Sequence, residues 1–355
     1  MSGKRADEQP FFAGAHVYER MDRVRTAINE IRRTWDRYPE FMTELRALFD
    51  DGSLGDSDPV SSGRLEALFS AQKDWDTADP TDEYSAIALY SSEVGYRQMF
   101  RAINTAFRTP SLPENSTLLR SATFLVELLN IDLFHFRERN QHADNFTGTV
   151  YRGMSLPQNV LDRFAETMRR PVTERYLSIP SAMASATPDR KVAMSFASAE
   201  AERQPDRHLA LWEIDVRNLD PRLLDLYRSR FPSSVVTSLC AVPIAGISDF
   251  PGEKEVLLRG PFFQIVGLSA EDLTVSGRPV HKIEAVMHNT NRDHLTAIAS
   301  NVGADKEERE LFKALVLSDR FDICARLAEQ RRQASDANEY RSRLAEQQAV
   351  LSPYE

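Results

Sequence analysis

Three short segments of this sequence set chemistry-bearing residues beside features that could fix them in place. The first is Val150-Tyr151-Arg152-Gly153, an arginine at the end of a short β-like run, followed by glycine. The second is Ser181-Ala182-Met183-Ala184-Ser185-Ala186-Thr187, small and hydroxylic, leading toward Phe196 and Ala197. The third runs from Ile247 to Leu258 and holds Glu253 and Glu255 two residues apart. In a strand, residues i and i+2 project on one face, so these two carboxylates can share a cleft. Arg152 offers a planar, multiply donating fork that lysine lacks. Taken singly, each segment has a plain use: a strand end, a turn before a helix, a solvated strand edge. Together they give a fixed order, with Ser185 33 residues after Arg152 and Glu253 68 residues after Ser185.

The elements around these segments change character along the chain. Val17, Met21, Val24, Ile28, Ile31 and Trp35 recur at steps of four and three, the stripe of an amphipathic helix. Phe41 to Phe49 continue as a second helix, and Asp50–Gly63, rich in Gly, Ser, Asp and Pro, reads as a linker. Two more helices are expected from Tyr84 to about Asn140, broken by the Pro110–Pro113 turn. After Gly148 come β-like runs at Thr149–Tyr151, Leu209–Val216, Glu255–Leu258, Phe262–Leu268 and Val280–Met287. Among them a helix over Arg190–Ala201 is expected, with Thr187 as its cap and Pro188 at its first position. Helix returns through Glu307–Val316 and Phe321–Gln347. The reading is an α+β fold with helical flanks.

Composition narrows the function. The chain has 355 residues, 42% hydrophobic and 27% charged, enough to bury a core without a metal or disulfide staple. With 53 acidic and 44 basic residues the net charge is −9, which argues against coating nucleic acid or an anionic membrane. No apolar run approaches a membrane span, and Met1–Pro10 is charged, so a soluble cytoplasmic protein is expected. Cys240 and Cys324 lie far apart and suit a reducing compartment. Glycine-rich phosphate loops, His-Glu-x-x-His and Cys-x-x-Cys are all missing, and the histidines show no ligand spacing, so no metal is expected. Of the basic residues 37 are arginine and 7 lysine, an excess that genome composition explains.

An arginine, then a small hydroxylic strand, then Glu-x-Glu after an aromatic-proline pair (here Phe250-Pro251) resembles the arginine-specific mono-ADP-ribosyltransferases. These form the R-S-E branch shared by vertebrate ecto-enzymes and several bacterial toxins. The preceding Ala86-Ile87-Ala88-Leu89-Tyr90 and Arg101-Ala102-Ile103-Asn104 also look like that family, and the resemblance covers roughly Glu83 to Met287. It implies a split β-sandwich core with an N-terminal helical lobe. On that basis residues 1–63 are a helical extension and linker, 64–287 the catalytic domain (lobe 64–147, β-rich core 148–287) and 288–355 a second helical extension.

The resemblance implies NAD as substrate and a protein with an exposed arginine as acceptor. Arg152 would grip the pyrophosphate, with Gly153, Thr187 and Phe196 also lining the dinucleotide site. Glu255 would hydrogen-bond the ribose and stabilise the positive charge that develops as the nicotinamide bond breaks. Ser185, matched to the first serine of the family's Ser-Thr-Ser, would orient Glu255. Glu253 would draw the proton from the incoming guanidinium or position it, and Phe250 would contact the protein acceptor. One departure is Ala186, where the family has a hydroxyl. An NAD glycohydrolase using the same site is the alternative, separated by arginine-dependent nicotinamide release. A non-catalytic NAD-binding interaction module is a third reading, separated by binding without consumption. The helical extensions could restrain the enzyme; truncating Met1–Gly63 would then raise activity. In an enzyme that modifies arginine, the arginines of its own helices are potential sites of self-modification.

Overall fold

The computed structural model describes residues 24, 26–50, 63–74, 84–108, 113, 116–139, 146–178, 183–232, 236–237, 239–260, 262–275, 277–292 and 306–354. Met1–Pro10, Val17, Met21, nearly all of the Asp50–Gly63 linker, Pro110, Asn140, Ser181 and Ala182 lie outside the described residues. The chain begins with helices: α1 (residues 26–33), α2 (Tyr38–Asp50), α3 (Gly63–Ser70), α4 (Ser85–Tyr90), a π-helical turn (Gly95–Met99) running into α5 (Phe100–Arg108), and α6 (Thr117–Arg139). Strands and helices then mix: β1 (Gly148–Leu156), α7 (Gln158–Thr167), β2 (Tyr176–Ser178), β3 (Met183–Ala186), α8 (Arg190–Arg203), β4 (His208–Arg217) and α9 (Pro221–Arg230). Short strands β5 (Val236–Thr237), β6 (Ala241–Pro243) and β7 (Val256–Arg259) precede the long hairpin of β8 (Phe262–Val275) and β9 (Arg278–His288). After β10 (Asn291–Arg292) the chain ends in α10 (Lys306–Gln330) and α11 (Ala334–Leu351). The mixed helix-and-sheet order matches the expectation. Among the described residues no helix is long and apolar enough to cross a membrane.

The chain forms two compact units. The first takes residues from Met1–Asp144, Ser178–Asp189 and Val242–Pro261. Its centre is α6, where Leu119, Phe124, Leu125, Val126, Leu128 and Leu129 are all inaccessible to solvent. A helix apolar on so many faces must be surrounded. Trp35, Tyr38 and Phe41 pack their rings 5.3 to 5.6 Å from that of Phe124. Val24 and Ile31 are buried as well, so the described part of the N-terminal extension belongs to this core. Deleting Met1–Gly63 would strip α6 of its cover, and such a truncation tests folding before it tests restraint.

Polar groups inside this unit are paired. Asp132 on α6 accepts from Lys73 Nζ at 2.6 Å and from the amides of Ala86 and Ile87 at 2.8 and 3.1 Å. One buried carboxylate thereby neutralises a buried ammonium and satisfies the first amides of α4, which would otherwise lack partners. A three-stranded sheet, ordered β3-β7-β6, completes the unit. Its β7 is tied to α6 through Arg259, which donates to Asn130 Oδ1 at 2.7 Å. Asn130 donates to Glu127 at 2.9 Å, and Glu127 takes a two-point contact from Arg32 at 2.6 and 3.2 Å.

The second unit takes Asn145–Leu177, Arg190–Ala241 and Phe262–Glu355. Its sheet runs in the order β1-β4-β9-β8-β2, with β4 and β9 parallel. Helix α8 packs on β1 and β4 through Ala193 and Ala197 beside Leu209 and Leu211. Phe321, Cys324, Ala325 and Tyr340 of α10 and α11 pack on Val266 and Val286 of the hairpin. Arg175 and Asp336 form a two-point ion pair that pins α11, at 2.6 and 3.1 Å. The cysteines are free and buried.

Three local expectations change. The last helices do not break between Val316 and Phe321: α10 is continuous to Gln330, and the turn comes where Arg332 takes a left-handed φ of 59°. Thr187 does not cap α8 directly; its hydroxyl accepts from the amide of Asp189 at 3.0 Å, forming a tight turn one step earlier. The Glu-x-Glu pair does not open a strand, because β7 begins only at Val256.

Removing the Asp132 carboxylate takes the ion pair of 2.6 Å from the buried Lys73 ammonium and the acceptor from the amides of Ala86 and Ile87. Asp132→Ala should therefore cost about 3–5 kcal/mol in denaturant unfolding, and a loss well under 1 kcal/mol would contradict this account of the first unit.

Candidate active site

Five of the eight expected site residues lie in the first unit, around the paired strands β3 and β7. The antiparallel register sets Ser185 opposite Leu257 and Ala186 opposite Val256. Thr187 follows β3 and Glu255 precedes β7, so both lie at the same end of the paired strands. Glu255 is buried, 9% exposed, and its carbonyl accepts from the amide of Ile244 at 2.9 Å. Thr187 is buried and Ser185 half-buried. A buried carboxylate needs polar partners, and Ser185 and Thr187 bring two hydroxyls to this end of the strands. Ala186 is buried and pairs with Val256, on the opposite face of β3 from Ser185.

Glu253 is set apart from Glu255 by the backbone. Pro251–Glu253 forms a 3-10 turn, and Lys254 follows in the left-handed region with φ of 51°. That reversal, and not strand alternation, separates the two carboxylates. Glu253 is half-buried, and desolvation pushes its carboxyl above the ordinary glutamate range. Lys254 Nζ stands 3.6 Å from Asp189, linking this turn to the exit of β3.

The segment leading to Glu253 is held in shape by its own hydrogen bonds. Ser248 Oγ donates to Ser91 O at 3.3 Å and accepts from the Phe250 amide at 3.1 Å. The Glu253 amide donates to Phe250 O at 3.0 Å, closing the turn. Ser91 lies just before the π-helical turn at Gly95, where a Cβ would stand 1.8 Å from Leu89 O. Phe250 itself is 43% exposed, although it is a large apolar side chain on a fixed loop.

Arg152, Gly153 and Phe196 belong to the second unit. Arg152 lies mid-strand in β1, half-buried and opposite Trp212 on β4. Gly153 has a packing reason: a Cβ there would meet Ala193 O at 1.7 Å, so only glycine lets α8 lie against β1. Phe196 on α8 is 41% exposed. Among the described residues the exposed large apolar side chains are Phe196, Phe250 and Val350, so two of the three are expected site residues. Also among them, no group of three or more His, Cys, Asp or Glu side chains could hold a metal ion.

Sequence reasoning missed the residues that hold the site from behind. Ser91, Asn130 and Arg259 act over distances that no local pattern reports. Asp249 is ion-paired to Arg64, 185 residues away in sequence.

No protein family matches the chain, and no curated protein matches it. Among solved structures it is similar to the Vis toxin, an ADP-ribosyltransferase from Vibrio splendidus, at 17% identity and a TM-score of 0.36, covering 70% of this chain and 85% of that one. It is also similar to the type III effector XopAI from Xanthomonas axonopodis pv. citri, at 13% identity and a TM-score of 0.34, covering 78% and 84%. The Clostridium limosum C3 exoenzyme gives 13% identity and a TM-score of 0.32, covering 65% and 98%. Likenesses this distant decide nothing about activity, which has to be argued from the side chains themselves.

Gly153 and Gly252 make a paired test of this geometry. Gly153→Ala must push α8 from β1 and should cost about 1–3 kcal/mol in thermal unfolding. Gly252→Ala meets nothing within 4 Å and should stay within about 0.5 kcal/mol of the parent. Equal effects would contradict the close approach at Gly153.

Proposed function

We propose that this protein is a mono-ADP-ribosyltransferase of the R-S-E class, moving ADP-ribose from NAD to arginine side chains of protein acceptors and releasing nicotinamide. The observation that carries the reading is the buried carboxylate of Glu255 at the end of the paired strands where Ser185 and Thr187 also lie, with the second carboxylate, Glu253, on its own turn. Burial keeps the charge of Glu255 close to its target and away from water, where it is worth most to a developing cation.

In this reading Arg152 binds the pyrophosphate, and Gly153, Thr187 and Phe196 help hold the dinucleotide. Glu255 hydrogen-bonds the ribose and stabilises the oxocarbenium-like sugar as the bond to nicotinamide breaks. The electron pair of that bond leaves with nicotinamide. A guanidinium nitrogen then attacks the anomeric carbon, and its proton passes to Glu253 and on to water. The raised carboxyl of Glu253 suits this task, since a base that is too weak cannot accept the proton. Phe250 offers an apolar contact to the acceptor protein. Ala186, where the family has a hydroxyl, pairs with Val256 of β7.

The proposal keeps residues 64–287 as the catalytic domain, with the split β-sandwich that the resemblance implies. It places the enzyme in a reducing compartment, which suits two free, buried cysteines.

Two substitutions test the roles. Glu255→Gln should lower nicotinamide release by about 100- to 1,000-fold, the scale of removing one preorganised electrostatic contact. Glu253→Gln should lose transfer to arginine while some NAD hydrolysis survives. The pH profile adds a check on sign. Transfer needs ionised Glu253, so its acid limb should lie above the ordinary glutamate range, and the hydrolysis left in Glu253→Gln should lack that limb. Full turnover in both variants would remove these carboxylates from the mechanism.

A further inference from the structure

We propose that Arg64 is an acceptor of this enzyme's own transfer reaction, modified within the same chain; the inference rests on the reading of the site given above. Helix α3 presents Arg64 from a fixed base. Leu68 is fully buried, Phe69 packs edge-on against Phe49 at 6.1 Å, and the Arg46 guanidinium lies 4.3 Å over the Phe69 ring. Just past the helix, Tyr38 donates its hydroxyl to Ala71 O at 2.8 Å, and Trp35 Nε1 donates to Lys73 O at 3.1 Å. From that base Arg64 Nη2 donates to Asp249 Oδ1 at 2.5 Å.

Asp249 immediately precedes Phe250 and lies four residues before Glu253, so a guanidinium is delivered to the loop that carries both acceptor-side residues. The manner of binding also suits a substrate. Arg32 and Arg120 of the same unit are gripped through Nε and Nη2 by both oxygens of a carboxylate. Among the described residues Arg64 has one polar contact, through Nη2, which leaves Nη1 without a protein partner. The side chains of Arg64 and Asp249 are 39% and 36% exposed. An ion pair so open to water is weak and releases readily. It orients the guanidinium without locking it.

The step balances as for an external acceptor. Nη1 of Arg64 forms a bond to the anomeric carbon of the nicotinamide ribose, and the bond to nicotinamide breaks with its electrons. The proton from Nη1 passes to Glu253 and then to solvent. The attached ADP-ribose brings two phosphate charges beside Asp249, so the modified side chain cannot keep that pairing. Self-modification thus frees the Phe250 loop from α3.

The test incubates the full chain with NAD at two protein concentrations and maps ADP-ribosylated peptides by mass spectrometry, with agmatine turnover measured in parallel. The expected result is ADP-ribose on Arg64, with the fraction modified over time independent of protein concentration. Arg64→Lys should lose that modified peptide and retain agmatine turnover. Agmatine turnover with Arg64 unmodified would overturn this proposal and leave the enzyme reading standing. A rate that rises with protein concentration would overturn modification within one chain. No nicotinamide release and no modified arginine anywhere would overturn the reading beneath it.

Discussion

The first unit holds one carboxylate, Glu255, almost wholly out of bulk water. An ion loses several kcal/mol on burial unless hydrogen bonds replace its hydration. Glu255 stands just before β7, at the end of the paired strands where Ser185 and Thr187 also lie. The backbone at Glu255 is clamped to Ile244, and at the other end of β7 Arg259 is tied to Asn130 and through it to Glu127 and Arg32. The helical core of the unit therefore fixes where the carboxylate stands. A change at Arg32 or Glu127, remote in sequence, acts on the same strand β7, which begins at Val256 just after Glu255.

The second carboxylate shows why spacing alone is a poor guide to role. Glu253 and Glu255 are two residues apart, yet one sits on a 3-10 turn and the other is buried beside a strand, separated by Lys254 in a left-handed conformation. For a residue other than glycine that conformation costs about 1–2 kcal/mol, and the Asp189 contact with Lys254 offsets part of it. Desolvation raises the half-buried Glu253 carboxyl above the ordinary glutamate range, while Glu255 is buried beside β7, so the two acids stand in different environments. The turn is also pinned to Ser91, so Phe250 is exposed without being loose.

Much of the fold was legible because burial writes periodicity into the sequence. The runs at Leu209–Val216 and Val280–Met287 became the adjacent parallel strands β4 and β9, and the apolar residues of α2 and α6 became one core. What escaped has physical reasons. Helix α9 did carry a signal in Asp220-Pro221, where the Asp220 carboxylate accepts from the amide of Arg222. Helix α7 begins after Pro157 with no side-chain cap, so its start left no such mark. The α10–α11 turn uses Arg332 at positive φ, where neither glycine nor proline announces it. At the site, the order of Arg152, Ser185 and Glu253 was readable, as was the exposed Phe250. The 3-10 turn at Pro251-Gly252 was hidden by reading Glu-x-Glu as strand. The supports at Asp132, Asn130 and Asp249 are tertiary partners, and no local pattern could name them.

Nicotinamide release from NAD by the intact chain, measured with and without a small guanidine acceptor, tests the central claim most directly. The account predicts release that rises on adding the acceptor, with ADP-ribose recovered on the guanidine. No release under either condition, with NAD left unconsumed, would contradict it.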